Sequence, residues 1–173
     1  DAMRKAGAPS AISRKLRMEG GRLALDLSGV AVTNLAFLKN IPVAELDLSN
    51  TRLTSLESLA GLPLERLWLG RVSISRIEPL KGMRLRHLDL SGTRVANITV
   101  LSGMPLQKVN LSGTAATNLA ALAKAPLVEL GVSDCRELLE VVPAFRPTLR
   151  RLYAAGTPAV SAVVLAGLKL EEL

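Results

Sequence analysis

His87 and Cys135 are the lone histidine and the lone cysteine of a 173-residue chain, and they limit the chemistry it can do. One imidazole and one thiol cannot complete a metal site, which takes three or four such ligands. The two are far apart in sequence, so nothing suggests a thiol–imidazole couple. Serines are abundant, but Ser28, Ser49, Ser91, Ser112 and Ser133 fall at multiples of one interval, as turn residues of a repeated unit would. There is no glycine-rich phosphate loop and no His-Glu-x-x-His pair. The residues point to no catalytic site, no metal and no cofactor. The sequon Asn97-Ile98-Thr99 arises readily by chance and matters only in a glycosylating secretory pathway. What remains is binding chemistry. Trp68 and Tyr153 are the one tryptophan and the one tyrosine, and exposed aromatics beside arginines are the usual anchors of binding energy.

The elements that would position these residues are set by a repeat. Leu25, Leu46, Leu67, Leu88, Val109 and Leu130 are each 21 residues apart, and Leu152 and Leu173 continue the series after a one-residue slip. Around them recur ALDLSGV, ELDLSNT, RLWLGRV, HLDLSGT, KVNLSGT, ELGVSDC and RLYAAGT. A fixed period in the twenties is the mark of a solenoid. Leu88 and Leu90 alternate with period two and predict a short strand with the leucines facing inward. Val95, Ile98, Leu101 and Met104 recur at threes and predict a tight 3-10 or single-turn return. Pro42, Pro63, Pro105 and Pro126 then preset the turn into the next strand.

Residues 1–21 lack the repeat. Ile12–Met18, Glu19-Gly20-Gly21 and Leu23–Leu27 predict a hairpin that caps the first coil and hides its open edge. The alternative is a basic linker without fixed structure. Residues 22–173 hold about seven repeats. The unit containing Cys135 gains a residue and carries Pro143 and Pro147, which predicts a longer convex helix there. At the other end no cap is legible. A strand begins as the chain stops at Leu173, with Leu165, Leu168 and Leu170 beside it. The natural protein is therefore expected to continue, or this end to self-associate.

Strand alternation sorts the solvent-facing residues into two columns. One holds Ala24, Glu45, Arg66, His87, Lys108, Glu129 and Arg151. The other holds Asp26, Asp47, Trp68, Asp89, Asn110, Gly131 and Tyr153. Strands lie about 4.8 Å apart, so Arg66, Trp68, His87 and Asp89 are expected to cluster. The candidate partner-binding residues are Glu45, Asp47, Arg66, Trp68, Arg71, His87, Asp89, Lys108, Asn110 and Tyr153. Against this, Trp68 could merely cover neighbouring aliphatic stems, and the aspartates could be solubilising members of the repeat.

Composition narrows the partner. The formal charge is +7, but residues 1–22 carry six basic and two acidic groups, leaving sixteen and thirteen for the rest. The repeats thus lack the continuous basic track that phosphate binding favours, and nucleic acid is not the expected partner. Hydrophobic residues make up 49% of the chain and aromatics only 2%, so the core must be built of aliphatic layers. The longest apolar run, Ala159–Leu168, is too short to span a bilayer. No signal peptide is legible at Asp1-Ala-Met-Arg-Lys. A single cysteine excludes an internal disulfide, which fits a reducing compartment without requiring one.

These repeats resemble the leucine-rich-repeat family, in the short class found in internalins and phosphatase-regulator subunits. The LDLSGT and LKGM phrases are more similar still to repeats attached to Ser/Thr protein kinases of planctomycetes and their relatives. The resemblance covers roughly residues 22–173. It implies an α/β solenoid, a right-handed superhelix with a concave parallel sheet and short 3-10 or helical turns on the convex side. It also implies a non-catalytic module that binds a protein or peptide on the concave face, within a larger bacterial scaffold or sensor. The compartment would be the cytoplasm or the outer side of a membrane-anchored protein. Two other readings stand beside it. One is a basic adaptor attached through residues 4–22 to an anionic surface, and the other a glycan-binding module using Trp68 and Tyr153. The family usually places Asn in the turn after the strand, whereas here Thr51, Thr93, Thr114 and Thr157 stand there. A threonine hydroxyl can serve the same turn. Val30 and Val72 cannot, and their turns are expected to be looser.

Overall fold

A computed structural model describes residues 16–19, 21–39, 41–139, 148–158 and 171. Among them, one sheet of eight strands runs in chain order. The strands are β1 (Leu16–Glu19), β2 (Arg22–Asp26), β3 (Val43–Asp47), β4 (Arg66–Trp68), β5 (His87–Asp89), β6 (Lys108–Asn110), β7 (Glu129–Gly131) and β8 (Arg151–Tyr153). From β2 onward every pairing is parallel, and Leu25, Leu46, Leu67, Leu88, Val109, Leu130 and Leu152 lie side by side. This is a solenoid whose sheet lines the concave side.

The parallel order follows from the return path. From β2 onward each strand is followed by a turn and, in five coils among the described residues, by a three-residue 3-10 helix on the far side: Ala36–Leu38, Glu57–Leu59, Glu78–Leu80, Thr99–Leu101 and Ala120–Leu122. The last leucine of each is fully buried. These stack against the strand leucines, so every coil fills the same aliphatic layer. Removing one such leucine from water is worth about 1.5–3 kcal/mol.

The strands are short, but the backbone ladder runs past them. Leu48 N–H donates to Trp68 O at 2.8 Å, Leu69 to Asp89 O at 2.8 Å and Leu90 to Asn110 O at 2.8 Å. Two residues on, the chain turns through a left-handed residue, glycine in four coils and Asn50, Arg71 or Asp134 in the others. That geometry aims the next N–H at the neighbouring coil, as from Gly92 to Ser112 O at 2.8 Å. Glycine reaches such φ values without steric cost.

At the amino-terminal side, β1 pairs antiparallel with β2, Leu16 opposite Leu25 and Glu19 opposite Arg22. The open edge of β2 is therefore occupied by β1. The strand expected from Ile12 is described only from Leu16. The longer convex helix expected near Pro143 and Pro147 lies outside the described residues, as do Leu165, Leu168, Leu170 and Leu173. Glu171, which is described, donates its N–H to Arg150 O at 2.7 Å.

The threonine column departs from expectation in two ways. Val30 and Val72 close the same backbone turn as the threonines, at 3.0 and 3.1 Å against 3.1 Å for Thr93. Their turns are not loose, because the backbone bond closes them, with the Val72 side chain buried and that of Val30 half-buried. The hydroxyls of Thr93 and Thr114 donate to the carbonyls of Leu90 and Leu111 in their own coil, at 2.7 and 2.6 Å, while that of Thr51 is buried with no partner. Contact between coils comes from Cys135, whose thiol donates to Leu111 O at 3.0 Å. Its N–H donates to the Thr157 hydroxyl at 3.1 Å, which in turn donates to Val132 O. Cys135 is fully buried, a structural thiol within the turn ladder.

Candidate functional site

Parallel register brings the two solvent-facing columns together on the concave sheet. In the first, long charged side chains stand about 4.8 Å apart and neutralise one another. Arg66 bonds Glu45 at 3.0 Å, Lys108 bonds Glu129 at 3.1 Å and Arg151 meets Glu129 at 3.5 Å. Glu45 is 7% exposed. Its place under Arg66 removes it from the surface where the sequence had put it, because a carboxylate at a crowded position gains more from its neighbour than from water.

In the second column the acidic residues hold the turns. Asp26, Asp47 and Asp89 each accept the N–H two residues ahead, from Ser28, Ser49 and Ser91, all at 2.8 Å. Asn110 does the same for Ser112 at 3.1 Å. These side chains are half-buried and structural as well as solvent-facing. The expectation of a merely solubilising role missed this, although the D-x-S spacing is that of an Asx turn.

Trp68 takes the place of such an aspartate. It is half-buried on β4, with Asp47 and Asp89 beside it in register. Its indole lies against the His87 ring, centroids 4.8 Å apart and planes inclined at 47°. The expected cluster of Arg66, Trp68, His87 and Asp89 is thus on adjoining strands. Burial holds the His87 imidazole below its ordinary value of 6.5, helped by Lys108 and Arg66 and opposed by Asp89 and Glu129. At neutral pH the ring against Trp68 is uncharged.

Two hollows flank this pair. The first, of about 120 Å³, is lined by Arg17, Ala24, Leu25, Asp26, Glu45, Asp47 and Trp68. The second, of about 190 Å³, is lined by His87, Lys108, Val109, Asn110, Ser112, Glu129, Gly131 and Tyr153. Pockets for whole small ligands are typically about 300–1,000 Å³, so each suits one side chain of a larger partner. Gly131 opens the second hollow. A Cβ there would lie 2.6 Å from Asn110 Oδ1, so Asn110 leans over the space that a side chain would fill. Arg17 and Gly131 were not among the sequence candidates. The hairpin register and the bare glycine in the column were the signals.

Arg71 lies elsewhere. It has a left-handed φ of 60° in the turn after β4, its N–H bonded to Ser91 O at 2.7 Å. It stands at the rim of the sheet, exposed, with its stem over Gly92. Tyr153 is 40% exposed on β8, four strands from Trp68. Of the basic segment 4–22, residues 4–15 and 20 lie outside the described set, and Arg22 is bonded to Glu65 at 2.7 Å. Among the described residues no group of three or more His, Cys, Asp or Glu side chains could hold a metal ion, and no helix is long and apolar enough to cross a membrane.

No family model matches the chain, and no curated protein matches its sequence. Solved structures do match. An internalin, inlF, from Listeria monocytogenes superposes with a TM-score of 0.69 at 18% identity, over 90% of this chain and 48% of that one. Internalin C2 from the same organism gives 0.68 at 21% identity, over 85% and 77%. The chain thus spans about half the length of the first. The likeness establishes the fold, a leucine-rich-repeat solenoid.

Proposed function

We propose that this chain is a non-catalytic interaction module that receives a protein or peptide on its concave face, as part of a larger bacterial scaffold or sensor. The observation that carries this is Trp68. A large aromatic stands in a column where the fold asks only for a turn-capping oxygen. It is braced by His87, half-exposed, and forms the wall of a hollow. Nothing in the turn or the core needs an indole there, and aromatic anchors on rigid faces are where binding energy concentrates. The surrounding charges are of both signs, so the partner carries both. The finer resemblance to kinase-attached repeats supports a sensor or scaffold setting.

The test is selection of displayed peptides on the intact protein, followed by measurement on the Trp68→Ala variant. Binding is expected to weaken by at least about 2 kcal/mol, with the thermal midpoint little changed because the ring is not in the core. Selected peptides that bind the variant as tightly as the parent would exclude the central face.

A further inference from the structure

Resting on that reading of the concave face, we propose that the hollow beside Trp68 receives a cationic side chain, arginine or lysine, from an extended segment of the partner. Its wall is the indole, whose π-face attracts cations. Asp26 and Asp47 line the hollow beside the indole, and Asp89 lies on the strand at the other side of Trp68, outside the lining.

The negative charges of Asp47 and Asp89 exceed what their turns require. The turn after each strand needs only an oxygen to accept a serine N–H. Asn110 performs that task with a neutral amide, at 3.1 Å. Carboxylates nevertheless stand at all three other capping positions, the two strands flanking Trp68 included. The repeats carry charges of both signs, and the capping residues on the strands flanking Trp68 are acidic. A basic side chain would be attracted to this position of the face, which gives register as well as attraction.

The cations already present do not fill the role. Arg66 is bonded to Glu45 at 3.0 Å. The His87 ring supports the indole and leaves it to wall the hollow, where Ala24 provides room in a column of longer side chains. Arg17, on the exposed β1, is the one cation of the lining. It stands at the edge of the site as a competitor that an incoming cation displaces or repels.

Trp68 is the only tryptophan, so its fluorescence reports occupancy directly. Peptides selected by display for Trp68-dependent binding are resynthesised with each arginine replaced by citrulline and each lysine by acetyl-lysine. One such replacement is expected to weaken binding about tenfold and to remove most of its salt dependence. Asp47→Asn, which keeps the turn-capping oxygen, is expected to weaken binding severalfold without lowering the thermal midpoint, and Arg17→Gln to strengthen it. Trp68-dependent peptides that tolerate every neutral replacement would overturn the cationic assignment and leave the docking face standing. Selection yielding no Trp68-dependent peptide would overturn both.

Discussion

At the scale of single residues, the structure separates side chains that the sequence listed together. Glu45 and His87 share a column, yet one is covered by its ion pair and the other supports an aromatic. His87 carries a measurable consequence. Its folded-state value lies below the ordinary 6.5 through burial and the nearby Lys108 and Arg66. The unfolded chain therefore takes up a proton first as the pH falls. The stability linked to a neutral His87 is complete above 6.5 and is lost as the pH falls from there through the folded value. Thermal midpoints of the protein and of His87→Gln are expected to diverge below pH 6.5, the parent falling more steeply. Parallel curves would show that His87 titrates alike in both states.

At the scale of elements, the turn after each strand is the recurrent device. It combines a left-handed residue whose N–H reaches the next coil, an aspartate or asparagine that caps, and a threonine or its substitute inside. The cap can be isolated. Asp89→Asn keeps an acceptor for Ser91 N–H, as Asn110 does for Ser112, and is expected to alter stability by less than about 0.5 kcal/mol. Asp89→Ala removes the acceptor from a half-buried turn and should cost about 1 kcal/mol. Urea midpoints of the two variants test this, and equal losses would assign the effect to charge and not to the cap. Valine at position 72 shows that the inner threonine is less critical, since the backbone bond closes without it.

At the scale of the whole molecule, each coil touches only its neighbours, so stability is a sum of coil and interface terms. Leu88 is fully buried and lies between Leu67 and Val109. Truncation to alanine should cost about 2–5 kcal/mol. Leu23 is half-buried, where the register between β2 and β3 is irregular, so Leu23→Ala should cost less. Denaturant unfolding of the two variants, with hydrogen exchange to locate the loss, distinguishes a graded stack from a uniform one. Equal losses would contradict the gradient.

The solenoid, the strand positions and the inward leucines were legible in the sequence. The 21-residue period repeats one local solution, and a parallel stack is the arrangement in which each copy buries the same face. Trp68, Asp47 and Asp89 could be placed in one column for the same reason, since register follows from an unbroken interval. Other features depended on the distances between side chains of different coils. Whether Glu45 meets water or Arg66, whether Cys135 idles or joins the turn ladder, and where Arg71 stands were decided only when the coils stacked. So was the hollow at Trp68, which exists because Ala24 is short and β1 brings Arg17 to its edge. The period carries what every coil shares, and packing decides what is particular to one.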